Sequence, residues 1–494
     1  MSAGVGLTFL AAGAWAQQPL AAGEPRLPNV VVILADDLGF GDISAFDSAA
    51  ISTPRIDQLA AEGMKLNEFY APSSVCSPSR AGLLTGRHAV RLGIDHVFMY
   101  NAHDGMDASE ITIAEQLKSV GYQTGMVGKW HLGHLDRYMP WNQGFNEFYG
   151  VPFSNDMSNL FFYENQKIIH KPIDQRYLTR RYTEKATDFI ERHQETPFFL
   201  YVAHSMPHVP LYVSPKFDGK TGRGLYSDVV AELDWSTGEI VDKLDDLNLL
   251  NNTLVIFSSD NGPWTVMGDH GGSAGTLRSG KGSTFEGGQR VPTVAHWPAQ
   301  IAAGSNNHSV SSLLDILPTL SDLAGVAIPS DRTIDGKSLA PIFSGMGERE
   351  NQKFFYIASR GRSTVRGLRD GDWKLKRAQK GYPEFLESFL QFGKHGHPAL
   401  LFNLNDDPEE QYNLAAQFPE RVAAMEAQIV TFEQDITADK PLRKYMSSTK
   451  ADRTGYGGLI GKGVFILLST LLLIYGVYRL LKVAIKRIWS KLGR

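Results

Sequence analysis

The 494-residue sequence predicts an α/β protein: a large mixed, mostly parallel sheet flanked by helices, a small C-terminal antiparallel α+β subdomain and one C-terminal transmembrane helix. Three observations lead there. Short β-branched runs alternate with helical patterns from Asn29 to Ala324, as strands and crossover helices do. Beyond Glu350 the runs shorten and are joined by turns such as Arg369-Asp370-Gly371. Residues 463–478 (GVFILLSTLLLIYGVY) carry no charge and run into a basic tail. Hydrophobic residues make up 43% of the chain, enough for a sizeable core, and a net charge of −4 excludes the strongly basic face of a nucleic-acid binder.

Residues 1–26 are expected to be a signal peptide or a disordered N-terminus, because Ala14-Trp15-Ala16 before Gln17 has the form of a cleavage site. A domain over 27–349 opens with 29–34 (NVVVIL), a run suited to a strand buried on both faces. Further strands are expected at 122–127, 197–203 (PFFLYVA) and 253–258 (TLVIFS). A helix over 53–63 has Thr53 as its N-cap, Pro54 in its first turn and Gly63 to stop it. Others are expected at 111–120, 181–193, 227–247 and 309–324. The subdomain over 350–434 should hold strands near 354–358, 365–368, 373–376 and 401–403, then a helix at 419–432. Residues 435–456 read as a polar linker, 457–482 as the transmembrane helix and 483–494 as a basic cytoplasmic tail. Arg479, Lys482, Lys486, Arg487, Lys491 and Arg494 put that tail inside by the positive-inside rule. The chain is therefore expected in the cell membrane as a single-pass protein with its α/β domain periplasmic or extracellular.

Ligands of open α/β sheets bind beyond the carboxyl ends of the strands. Four strand ends here run into polar clusters: Asp36-Asp37, Lys129-Trp130-His131, His204 to His208, and Asp260-Asn261. Each alone reads equally well as a turn; four together suggest one shared site. Asp36, Asp37, Asp260 and Asn261 form an oxygen-only donor set suited to a hard divalent cation. Arg80, Lys129, His131, His208 and Lys281 supply cations and proton donors, a combination fit for a phosphate or sulfate. Cys76 is the only cysteine, so no internal disulfide can form. The stretch 80–90 (RAGLLTGRHAV) is expected as a helix beginning near Pro78, which would set Cys76 at its N-terminus as a candidate nucleophile.

Cys76-Ser77-Pro78-Ser79-Arg80, followed by Thr85-Gly86-Arg87, resembles the sulfatase signature. Residues 125–133 (GMVGKWHLG), 280–292 and 401–414 (LFNLNDDPEEQYNL) are similar to further blocks of that family, of its arylsulfatase A-like branch within the alkaline phosphatase superfamily. The resemblance covers roughly 29–432. It implies a sulfuric ester hydrolase acting on aryl or carbohydrate sulfates, in which a maturation enzyme converts Cys76 to formylglycine. The hydrated aldehyde would attack sulfur, and the covalent sulfo-enzyme intermediate would be released by elimination. Asp36, Asp37, Asp260 and Asn261, with Cys76, would hold Ca²⁺, Mg²⁺ being the alternative. Arg80 would stabilise the modified residue and His131 would take the proton for elimination. Lys129, Ser154, His208 and Lys281 would bind sulfate, with His208 and Lys281 also protonating the leaving oxygen. Two rival readings stand beside this one. A phosphate or phosphonate monoester hydrolase of the same superfamily would use Ser or Thr and more His ligands. An inactive, anchored glycan-binding protein would lack one of the reactive residues.

Overall fold

In the computed structural model, the described residues are 27–46, 51–157, 160–347, 349, 353–358, 364–379 and 397–439. A ten-stranded sheet forms the centre, in the order Ser305–Asn307, Met64–Leu66, Val294–His296, Thr253–Ser259, Asn29–Ala35, Phe198–Ala203, Gln123–Lys129, Glu147–Val151, Phe162–Glu164 and Lys167–His170. The five strands from Thr253–Ser259 to Glu147–Val151 are mutually parallel, and antiparallel pairs extend the sheet on both sides.

Period-two alternation builds a core on each face. Val30, Val32 and Leu34 enter one apolar cluster, whereas Val31, Ile33 and Ala35 enter the other. The helices Cys76–Thr85, Ile113–Lys118 and Ile316–Leu323 cover the first face through Leu83, Leu117 and Leu320. Pro54–Ala61, Leu178–Arg192 and Leu225–Asp246 cover the second through Leu59, Tyr182, Phe189 and Leu233. The helix at Ile113–Lys118 is started by Thr112, whose hydroxyl accepts from the Glu115 amide while the Glu115 carboxylate caps the Thr112 amide.

The helix carrying the cysteine differs from expectation at both ends. It begins at Cys76 itself, with Val75 as extended N-cap, and ends at Thr85 because Gly86 takes φ 66°. Residues 152–177, where the sequence suggested no strand, contain the hairpin Phe162–Glu164 and Lys167–His170. Its second strand is largely exposed, so no apolar alternation marks it.

The C-terminal sheet, Lys353–Ala358, Thr364–Asp370, Trp373–Lys376 and Leu400–Asn403, is antiparallel throughout. Helix Pro419–Ala438 packs Met425, Ile429 and Ile436 on its Val365, Leu368, Leu375 and Leu401 face. That helix runs into the stretch read as linker, and Asp435 and Asp439 near its end pair with Arg91 and Arg87. Tyr70 and Phe354 stack across the junction with the main sheet, with ring centroids 4.6 Å apart.

One part of the expected fold class is corrected, and with it the expected localisation. Among the described residues no helix is long and apolar enough to cross a membrane. The apolar run at 457–482 that prompted the expectation lies outside the described residues, as do 1–26 and 440–494. The single-pass membrane assignment is withdrawn.

Close packing at the strand ends tests the architecture. Gly128 has φ 114°, and a Cβ there would meet the Ala203 carbonyl oxygen at 1.8 Å. Gly128→Ala is expected to destabilise the protein by about 3 kcal/mol, from the left-handed backbone and the overlap together. A urea unfolding curve measures this.

Candidate active site

The carboxyl ends of the parallel strands deliver the acidic residues. Asp36 and Asp37 follow Asn29–Ala35, and Asp260 and Asn261 follow its neighbour Thr253–Ser259. The Asp260 amide donates to the Ala35 carbonyl at 3.1 Å, and the Asp37 amide donates to Asp260 Oδ1 at 3.2 Å. Asp37 adopts φ 69° and His131 φ 62°, left-handed conformations that cost about 1–2 kcal/mol each in side-chain-bearing residues. Strain of this kind persists where surrounding bonds over-determine it.

Cys76 projects from the first helical position into this cluster and is buried. Its Sγ lies 3.5 Å from Asp36 Oδ1, 4.0 Å from Asp37 Oδ1 and 3.5 Å from Lys281 Nζ. One helical turn on, Arg80 donates from Nε to Asp260 Oδ2 at 2.9 Å and from its terminal nitrogen to the Lys129 carbonyl at 2.8 Å. The Lys129 ammonium donates to Asp36 Oδ2 and to Ser154 Oγ, the latter at 3.1 Å. Lys281 donates to both oxygens of Asp37 at 2.7 Å. His208, between cis prolines 207 and 210, brings Nε2 to 3.6 Å from Asp37 Oδ2 and donates from Nδ1 to the Val209 carbonyl.

His131 is held differently. Its Nε2 bonds the Phe98 carbonyl at 3.0 Å, while Nδ1 is buried and meets no partner among the described residues. The Phe98 carbonyl can only accept, so Nε2 carries the proton and Nδ1 is a bare acceptor. His204, at the start of the strand-end stretch that ends in His208, turns its Nε2 to Ser236 Oγ at 3.4 Å, away from this cluster.

Burial sets the protonation states. It pushes the Cys76 thiol up, over the opposing pull of Lys129 and Lys281, so the side chain stays a thiol. The thiolate is therefore not favoured here, because burial and the carboxylates Asp260 and Asp36 outweigh the two lysines. Burial also drives His131 well down, helped by Lys129 and Arg80, and lowers His208, helped by Lys281. Burial alone would raise Asp36, but Lys129, His208, Arg80 and Lys281 together hold it well below the usual carboxylate range. Asp260 is pushed up to about 7 by burial and by Asp36.

Charge counting shows what the cluster can accept. With Asp260 ionised, as a bound cation would favour, three carboxylates (Asp36, Asp37, Asp260) face three cations (Arg80, Lys129, Lys281) and cancel. A divalent cation would leave two positive charges for an anionic ester. The donor set fits such an ion: Asp36, Asp37, Cys76 and His208 each offer a ligand atom within 4.8 Å of the others. Asn261 adds a buried Oδ1 with no donor, its Nδ2 being bonded to Asp37 Oδ1 at 2.7 Å. Asp260 meets the group through Arg80 and the Asp37 amide.

Apart from His204, the residues singled out in the sequence thus gather in one buried cluster. Sequence reasoning passed over two neighbours. Asn155 donates to the Pro210 carbonyl at 3.1 Å, tying the Ser154 loop to the His208 loop. Trp264 lies against both His208 and Lys281. A signal existed for each, since Asn155 directly follows Ser154 and Trp264 stands two residues beyond Asp260-Asn261-Gly262.

A family model described as Sulfatase matches residues 28–326, and one described as N-sulphoglucosamine sulphohydrolase, C-terminal, matches residues 280–434. The chain is similar to arylsulfatase A of Bos taurus, 39% identical over 433 residues that span 80% of this chain and 84% of that protein. It is 37% identical to N-acetylgalactosamine-6-sulfatase of Mus musculus, over 80% of this chain and 84% of the relative. Among solved structures, the PsFucS1 sulfatase from Pseudoalteromonas sp. superposes with a TM-score of 0.76 at 29% identity, covering 84% of this chain and 91% of that one.

Proposed function

From the chain's membership of the sulfatase family, which makes it an enzyme hydrolysing sulfate esters, we propose that the reaction runs at Cys76 after its conversion to formylglycine, beside a bound divalent cation. One observation carries this reading: a single buried cysteine sits among three carboxylates and three cations while its own thiol is held protonated. An unmodified thiol would be a weak nucleophile in such a pocket. The hydrated aldehyde supplies two hydroxyls on one carbon, one to attack sulfur and one to expel sulfate afterwards. Calcium, with magnesium as the alternative, would be held by Asp36, Asp37, Asp260 and Asn261 and would polarise the sulfate oxygens.

The protein's own residues divide the remaining work. Lys129 and Lys281 balance the sulfate charge, and Ser154 fixes Lys129 through its hydrogen bond. Arg80 holds Asp260 and braces the start of the helix against the Lys129 carbonyl. Lys281 is kept protonated by Asp37 in spite of burial, so it is a standing proton donor toward a leaving oxygen. His208 is the second donor when charged. His131, neutral with a free Nδ1, is suited to take the proton that releases sulfate.

Mass spectrometry of protein from its native host tests the modification. The peptide spanning Cys76 should lack an alkylatable thiol and react with carbonyl reagents. Recovery of an intact, alkylatable thiol in active enzyme would overturn the formylglycine assignment. The maturation enzyme belongs to the same reading and shares this test.

A further inference from the structure

Behind the two sulfate-binding side chains stands one aromatic residue to which the reaction scheme gives no part. The Lys281 ammonium lies 4.5 Å from the centroid of the Trp264 ring. The His208 ring lies 5.2 Å from the same indole at 49°. Lys281 and His208 both reach Asp37, and Lys281 also reaches Cys76. Trp264 therefore backs the two groups on one side of the pocket, yet the residue itself is partly exposed.

The backbone fixes this indole in position. The Lys281 amide donates to the Pro263 carbonyl at 2.8 Å, and the Met267 amide to the Trp264 carbonyl at 2.9 Å. Glycines allow the close packing: a Cβ on Gly271 would meet the Trp264 oxygen at 2.2 Å, and one on Gly280 the Pro263 oxygen at 2.4 Å. The Trp264 Nε1 is shielded from solvent and meets no acceptor among the described residues. A buried indole N–H ordinarily finds a partner, and leaving it unpaired is costly. An oxygen of bound substrate would supply one.

We propose that Trp264 positions Lys281 and determines specificity, forming the wall against which a ring on the leaving-group side stacks, so that the enzyme prefers aryl and cyclic sugar sulfates to open-chain alkyl sulfates. The inference rests on the reading that sulfate binds at Cys76 with its leaving oxygen toward Lys281 and His208. The cation–π contact keeps the flexible lysine stem aimed at the pocket, and the aromatic face offers stacking area that an alkyl chain cannot use.

The test compares kcat and KM of full-length, matured wild type, Trp264→Ala and Trp264→Phe on 4-nitrophenyl sulfate and on a linear alkyl sulfate. Trp264→Ala is expected to lower kcat/KM about 10- to 100-fold on the aryl ester, mostly through KM, and at most about 10-fold on the alkyl ester. Trp264→Phe, the variant that keeps a ring if alanine fails to fold, should restore most of the preference. Equal losses on the two esters, or none in either variant, would overturn the specificity role while wild-type turnover upholds the sulfate-binding reading. A matured wild type inactive on both esters would instead overturn that reading and this inference with it.

Discussion

Replacing Cys76 by alanine is expected to lower kcat/KM for an aryl sulfate by at least about 10³-fold, because the reaction loses its nucleophile and its release step together. Fold should survive, since the side chain is small and its contacts are polar ones to Asp36, Asp37 and Lys281. Cys76→Ser is the more informative variant. A serine hydroxyl can attack sulfur, but it lacks the second hydroxyl that expels sulfate. It should release at most one equivalent of 4-nitrophenol per enzyme and then stop. Sustained turnover by the serine variant would remove the need for a diol. A rapid-mixing trace of product against enzyme concentration separates the two outcomes.

Loss of the buried lysine at the junction of the two sheets should be the largest effect on stability. Lys374 Nζ lies 2.8 Å from Glu286 Oε1 and 2.8 Å from Glu410 Oε1, with all three side chains fully buried. Tyr70 and Tyr356 each donate to Glu286 at 2.6 Å, and Glu410 accepts from the Glu286 amide at 2.6 Å. Lys374→Met would leave two carboxylates buried without their shared cation, a loss of about 3–5 kcal/mol. The urea midpoint should fall accordingly. Glu286→Gln with Lys374→Met should recover part of the loss, because fewer charges are stranded.

Within the same network Glu286 has a pH signature of its own, while burial moves Glu410 the opposite way. Burial would raise the Glu286 carboxyl, but Lys374, Arg369 and Arg290 outweigh it and hold it down to about 2, from an ordinary 4.5. The unfolded chain therefore binds the proton first as pH falls. Stability from this group is complete above about 4.5 and drains away as pH drops toward 2. Lys374→Met should flatten that slope.

Much of this protein was legible before any coordinates. The buried runs NVVVIL and TLVIFS announced central strands, because a parallel sheet covered on both faces leaves no polar side to alternate. Residues that follow such strands point to one edge of the sheet, so Asp36, Lys129, His208 and Asp260 could be grouped although 244 positions separate Asp37 from Lys281 in the same site. Helix ends were less legible. Gly86 stops the Cys76 helix only because it adopts a left-handed φ, while Gly82 in the same helix remains helical. The exposed strand Lys167–His170 pairs through its backbone and carries no apolar pattern to reveal it.

The sequence by itself determined four of the five central parallel strands and the kinds of side chain gathered at their ends, since burial period and turn chemistry are local properties. Only the tertiary structure decided the charge states and partners. Desolvation keeps the Cys76 thiol protonated and His131 neutral, whereas Asp37, from a distant segment, keeps Lys281 charged against it. Trp264 likewise gains its place behind Lys281 and His208 through loop packing between glycines, a contact that spacing along the chain does not encode.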